Sequence, residues 1–227
     1  MENLEIYRKF FDTAYPNYAD TEYEGISRLI RAIPDIDKVI STFKCSGAKE
    51  ILGLIVPLIK IKNYKSQIPF PEDIYYAAQL IAEIKNGTPK EKLSKEHVDL
   101  FGKLLEIEGF QLPTVSAVLH FCHPAFYPIV DRNIESACNS LLKEIPDSGI
   151  TKPELPASTT TTDDKLSKYR QFISCLTELR KLHNTQYATN YNFRELDKAL
   201  MVYGDDRQKK KAENANTYEP SQVNRQK

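Results

Sequence analysis

The stretch Phe101–Asn133, FGKLLEIEGFQLPTVSAVLHFCHPAFYPIVDRN, decides how this chain is read. Leu100, Leu104, Leu105 and Ile107 form an apolar stripe at helical spacing. Gly109 stands where a helix commonly ends in a left-handed residue. Phe110, Gln111 and Leu112 make a short link. Pro113 then suits the first turn of a second helix, where its missing N–H is no loss. Val115, Val118, Leu119 and Cys122 carry that helix, and His123-Pro124 stops it. The connector Ala125–Val130 holds another proline, Pro128. Asp131 follows directly, at the head of a further helix. The pattern over about 100–122 is a helical hairpin with an aspartate shortly behind it.

Such a hairpin has a natural ligand. Backbone N–H groups exposed at a helix N-terminus form an anion site, and a glycine lets a phosphate backbone come close. Asp131 has two readings. It is a favoured helix N-cap, with Ile134 as the N3 residue. It is also a carboxylate held beside an apolar segment, where it can act on a bound ligand.

These residues resemble the core of the helix-hairpin-helix DNA glycosylase superfamily, the HhH-GPD group that includes 8-oxoguanine DNA glycosylase. The hairpin match is Ile107-Glu108-Gly109-Phe110-Gln111-Leu112-Pro113. The match to the aspartate segment is Tyr127-Pro128-Ile129-Val130-Asp131, and Asp131 lies 22 residues after Gly109. The resemblance implies an all-α fold, a helical bundle of two lobes around the hairpin. It implies that Gly109, Gln111, Pro113 and Thr114 grip the DNA backbone and that Asp131 serves the chemistry. His120, His123, Tyr127 and Arg132 become candidates for the pocket that takes a flipped base. The family hairpin usually has a second glycine where Gln111 stands. Bifunctional members carry a lysine nucleophile where Pro113 and Thr114 stand, and the four-cysteine iron–sulfur loop of some members is absent. A monofunctional enzyme is implied, with water as nucleophile, no cofactor, and double-stranded DNA bearing a modified base as partner. The alternative is a helix-hairpin-helix module that binds DNA without chemistry, with Asp131 only a cap. A helical protein-interaction domain is the third class.

Working outward, 227 residues suffice for one sizeable domain or two small lobes. Lys+Arg 31 against Asp+Glu 31 gives a formal charge of zero, unlike the basic excess of a strong nucleic-acid binder, although segregated charge can still make a basic groove. Cys45, Cys122, Cys138 and Cys175 show no close pairing, which points to reduced thiols and a cytoplasmic location. No run approaches the ~18 apolar residues of a membrane span, and MENLEIYRKF lacks a signal pattern. A soluble monomer is expected.

Before the hairpin, helices are predicted over residues 3–13, Thr21–Ala32, a short segment with Ile36, Val39, Ile40 and Phe43, Glu50–Ile61 and Glu72–Lys85. The end of the fourth is basic, with Lys60, Lys62 and Lys65, either a solvated helix end or a phosphate contact. Tyr64–Phe70 is a loop. Tyr75 and Tyr76 offer rings that pack on the core or stack on a base. Asn86-Gly87-Thr88-Pro89 is a stop, and Ser94 is placed to cap the helix entering the hairpin.

Behind Asp131, Ile134, Ala137, Cys138, Leu141 and Leu142 mark a helix. Residues 146–164 are rich in Pro, Ser and Thr and are expected to be a flexible surface insertion. Helices follow over Lys165–His183 and Phe193–Tyr203, the second capped by Asn192 and closed by Gly204. Residues 1–204 are expected to form the glycosylase-like domain. Residues 205–227 are expected to be a disordered polar tail, its Lys209-Lys210-Lys211 run solvated or lending weak DNA affinity. His120, Cys122 and His123 crowd together but lack the second ligand pair of a zinc site, so no metal is expected.

Overall fold

The computed structural model describes residues 1–16, 20, 23, 24, 27, 71–90, 93–107 and 110–217. The predicted helices over Thr21–Ala32, Ile36–Phe43 and Glu50–Ile61, the basic Lys60, Lys62 and Lys65, the loop after them, the Tyr75 side chain, the Gly109 turn and residues 218–227 lie wholly or largely outside these. The described residues form eight α-helices and no strand: α1 (Glu5–Ala14), α2 (Pro71–Asn86), α3 (Lys95–Glu106), α4 (Leu112–Cys122), α5 (Arg132–Glu144), α6 (Thr162–Tyr187), α7 (Phe193–Gly204) and α8 (Asp206–Thr217). None of them is long and apolar enough to cross a membrane. The expected all-α class holds for the described chain.

Side-chain caps set four of the helix starts. Ser94, Asp131, Thr161 and Asn192 each accept the N–H three residues on, at 3.2, 3.0, 3.2 and 2.9 Å. Each satisfies a donor that the helix leaves open. The helices pack in two groups. α2, α3 and α4 lie against one another, and α1, α5 and α8 gather round α7. Helix α6 touches both, meeting α3 and α4 on one side and α7 on the other. Their inward faces merge into one apolar core that runs from Leu4 to Ala212.

Two expectations are corrected. The polar tail is helical over Asp206–Thr217. Its sequence lacks an apolar period, yet it docks through Ala212, which is buried, and through polar contacts. Tyr7 donates to Glu213 Oε1 at 3.0 Å, and the Lys209 ammonium sits 3.7 Å from the centroid of the Tyr203 ring. A single methyl and a cation over an aromatic face leave no periodic trace. The insertion after α5 is also less loose than its composition suggests. Pro153 is buried, and the Leu155 N–H donates to Glu135 Oε1 at 2.8 Å. Helix α6 begins inside the expected insertion, at Thr162, because Thr161 caps it.

Candidate functional site

The two helices expected on either side of the hairpin turn are α3 and α4. The Ile107 N–H returns to Leu104 O at 3.2 Å at the end of α3, and the Phe110 N–H returns to Ile107 O at 3.0 Å. Phe110 is buried. Gln111 adopts an extended conformation ahead of α4 and gives the helix no side-chain cap. Pro113 occupies the first turn, as its ring requires. Gln111 and Pro113 are half-buried, whereas Thr114 as a whole residue is 1% exposed and faces the core. Thr114 therefore presents neither its hydroxyl nor its backbone N–H at the surface.

After a turn over residues 124–126 the chain enters a non-helical strap, Tyr127–Val130, whose residues are all buried. Three hydrogen bonds pin it, two from α4 and one from α6. The His120 ring meets Tyr127 O through Nδ1 at 2.7 Å. The Tyr169 hydroxyl of α6 donates to Pro128 O at 2.9 Å. The Val130 N–H donates to Ser116 Oγ at 3.1 Å, and that hydroxyl donates in turn to Pro113 O at 2.9 Å. Ser116 thus ties the first turn of α4 to the strap. Burial pushes the Tyr169 phenol far above its ordinary value, with Tyr127 adding to the rise, so it stays a donor.

The histidine tautomers follow from their partners. A carbonyl only accepts, so His120 carries its proton on Nδ1, and its Nε2 accepts from Tyr23 OH at 2.9 Å. Burial pushes the Tyr23 phenol up to about 12. His97 and His123 both direct Nε2 at Ile84 O, at 3.2 and 2.7 Å. Neutral His97 therefore accepts from Tyr127 OH through Nδ1, at 2.7 Å. Burial, helped by the neighbouring His123, lowers the His97 pKa and favours that neutral form.

At the end of this pinned strap stands Asp131, half-buried and extended (φ −155°, ψ −173°). Its Oδ1 accepts the Ile134 N–H at 3.0 Å, and its carbonyl accepts the Glu135 N–H at 2.9 Å. The carboxylate faces the positive end of the α5 dipole. The structure brings His123, Tyr127 and His97 into one cluster and puts His120 under the strap. His120 and Tyr127 are fully buried and act here as supports, while Arg132 is exposed on the first turn of α5. Among the described residues, no group of three His, Cys, Asp or Glu side chains is placed to hold a metal.

Sequence reasoning did not single out Ser116. Its signal was a hydroxyl inside an apolar helical run, Val115-Ser116-Ala117-Val118, which must find a partner when buried. Tyr169 passed as one more core residue of its helix. Its role in holding Pro128 depends on a contact 41 residues away in the chain.

A second feature lies along α6. Leu93, Phe126, Ile173 and Phe193 floor a cleft of about 670 Å³. Asp131 does not line it. No protein-family model matches this chain, and neither a curated protein nor a solved structure matches it.

Proposed function

We propose that this protein is a monofunctional DNA N-glycosylase with Asp131 as its catalytic carboxylate. The observation that carries the reading is the strap. Buried hydrogen bonds from His120, Ser116 and Tyr169 fix Tyr127–Val130 and so fix where Asp131 stands. A carboxylate held in place by its surroundings needs no reorganisation when positive charge develops nearby. The hairpin adds the second element. No side chain caps α4, and half-buried Gln111 and Pro113 stand at its head, where the resemblance puts the grip on a DNA phosphate. Gly109 completes that grip in the resemblance. Ser116 couples the two parts, since one hydroxyl touches both Pro113 O and the Val130 N–H.

In this reading a modified base is flipped out of duplex DNA. The bond from C1′ to the base breaks, and the base leaves with the electron pair. Asp131 stabilises the oxocarbenium-like sugar and takes a proton from the water that adds to C1′. Pro113 and Thr114 offer no amine, so no imine to the sugar forms, and no cofactor takes part.

The test is base release from duplexes carrying oxidised, alkylated, deaminated and hypermodified bases, comparing the wild type with Asp131→Asn. Asn caps a helix about as well as Asp, so the variant keeps its fold. Release by the wild type and at least a hundredfold loss in the variant is expected, the scale of one general-base contribution. Full release by Asp131→Asn would sink the assignment.

One observation favours a second reading, in which the hairpin only binds DNA. The Asp131 carboxylate already serves as the cap of α5. That reading predicts salt-sensitive retention of DNA, no release of any base, and undiminished retention by Asp131→Ser, which keeps a capping oxygen.

A further inference from the structure

The cleft along α6 carries a chemistry that the strap does not use. At one end the Arg180 guanidinium lies 4.2 Å from the centroid of the Phe193 ring, a composite flat surface. Half-buried Phe126 offers a second ring on the lining. Arg170, Ser174, Thr177 and Lys181 follow at spacings of four, three and four residues, which puts them on one helical stripe. The Ser174 and Thr177 hydroxyls and the Arg170 guanidinium make no hydrogen bond or ion pair among the described residues. The Glu178 carboxylate on the lining is paired with Lys181 at 2.9 Å. Among the described lining residues Arg170 thus adds a positive charge over an apolar floor that no carboxylate there offsets. From Arg170 to Lys181 the stripe runs about 16 Å at the helical rise, long enough to take a flat ring at one end and an anion at the other. Its volume is that of a small-molecule site.

We propose that this cleft binds a nucleoside monophosphate, free or as part of a single strand. The base lies against Phe126 and the Arg180–Phe193 surface, since aromatic rings and guanidinium planes accept any base face. The phosphate meets Arg170, whose planar fork matches phosphate oxygens, with the Ser174 hydroxyl as a further donor. Neither Asp131 nor the strap lines the cleft, so this site stands or falls separately from base release.

Calorimetric titration of the full chain tests it, with dAMP, deoxyadenosine, inorganic phosphate and a short single-stranded oligonucleotide as probes. One dAMP per chain is expected, with deoxyadenosine and inorganic phosphate each at least tenfold weaker. Arg170 and Ser174 are exposed, so substitutions there leave the core alone. Arg170→Ala should weaken dAMP about tenfold or more, the scale of one charge-assisted hydrogen bond. Ser174→Glu, which sets a carboxylate against the phosphate, should remove binding. Competition between dAMP and the oligonucleotide would identify a strand as the source, and binding of dAMP alone a free nucleotide. Absence of dAMP binding at about 1 mM, or equal binding by wild type and both variants, would overturn the proposal.

Discussion

Ser116 Oγ accepts the N–H of Val130 at 3.1 Å while both residues are fully buried. Removing that oxygen leaves a buried donor without a partner and also frees Pro113 O. Ser116→Ala should therefore cost about 1–3 kcal/mol of stability, although alanine is the better helix former. Urea unfolding measures this. If Ser116 also holds the strap, base release should fall by more than the unfolded fraction explains.

Gly204 makes room for another chain. A Cβ there would sit 1.8 Å from the Asn133 carbonyl oxygen and 3.1 Å from the Ala137 nitrogen. The end of α7 crosses the start of α5 at a distance only glycine permits. Gly204→Ala should destabilise by about 3 kcal/mol, since rigid backbone has to shift. Gly102 is the control. Its added Cβ would meet only Thr162 Cγ2, at 3.5 Å. Gly102→Ala should stabilise by about 0.5–1 kcal/mol through helix propensity. Opposite signs in thermal unfolding of the two variants are expected, and equal signs would discard the close-approach argument.

Stability should decline on mild acidification. His183 Nε2 accepts the Leu4 N–H at 3.2 Å, so its proton sits on Nδ1, toward Thr189 Oγ1 at 3.0 Å. Burial lowers its pKa, with Glu5 opposing, and burial lowers that of His97 as well. A folded pKa below the unfolded value of about 6.5 means the unfolded chain binds more protons as pH falls. The stabilisation is complete above about 6.5 and is lost as pH falls through the folded values. Urea midpoints at pH 7.5 and 5.5 should therefore differ, with the lower midpoint at pH 5.5. In His183→Gln, whose amide does not titrate, the difference should shrink. An unchanged difference would remove His183 as a cause.

Lys198 is 1% exposed, with its ammonium 2.7 Å from Asp20 Oδ1 and 3.5 Å from Glu195 Oε1. Orphaning a buried charge costs far more than replacing the pair with apolar groups. Asp20→Ala should lose about 1–2 kcal/mol, less than an orphaned buried charge would cost, because Asp20 is more than half exposed and Glu195 remains within reach. Lys198→Met in the same background should recover most of the loss. Denaturant midpoints of the two variants decide between this asymmetry and a pair that contributes nothing.

The helices were legible wherever a cap and an apolar period coincided. Ser94, Asp131 and Asn192 were readable as caps because each stands directly before a helical stripe, and a side-chain oxygen there meets an open N–H. Pro113 was readable at the head of α4 for the same local reason. The end of α6 was not. It runs a turn past His183 to Tyr187 and closes on Ala188 in the left-handed region at φ 52°, a conformation that glycine ordinarily signals. Helix α7 was read as one inward face of Phe193, Leu196, Leu200 and Tyr203. In the structure Arg194, Asp197 and Lys198 are buried too, because their charges find one another and Asp20.

What the sequence determined by itself was local: the helices of the described residues, among them the pair on either side of residues 108–109, and an aspartate placed to start the next helix. Those features depend on residues three or four apart, and that spacing is written in the chain. Only the tertiary structure decided what holds the aspartate and where a ligand has room. Ser116, His120 and Tyr169 reach the strap from two different helices, and the cleft on α6 is completed by Leu93, Phe126 and Phe193 from far along the chain. Gly204 looked like a helix terminator and proved to be a point of helix contact, because the atom that excludes a Cβ belongs to Asn133. Such pairings depend on how whole helices pack, and no short window of sequence contains both partners.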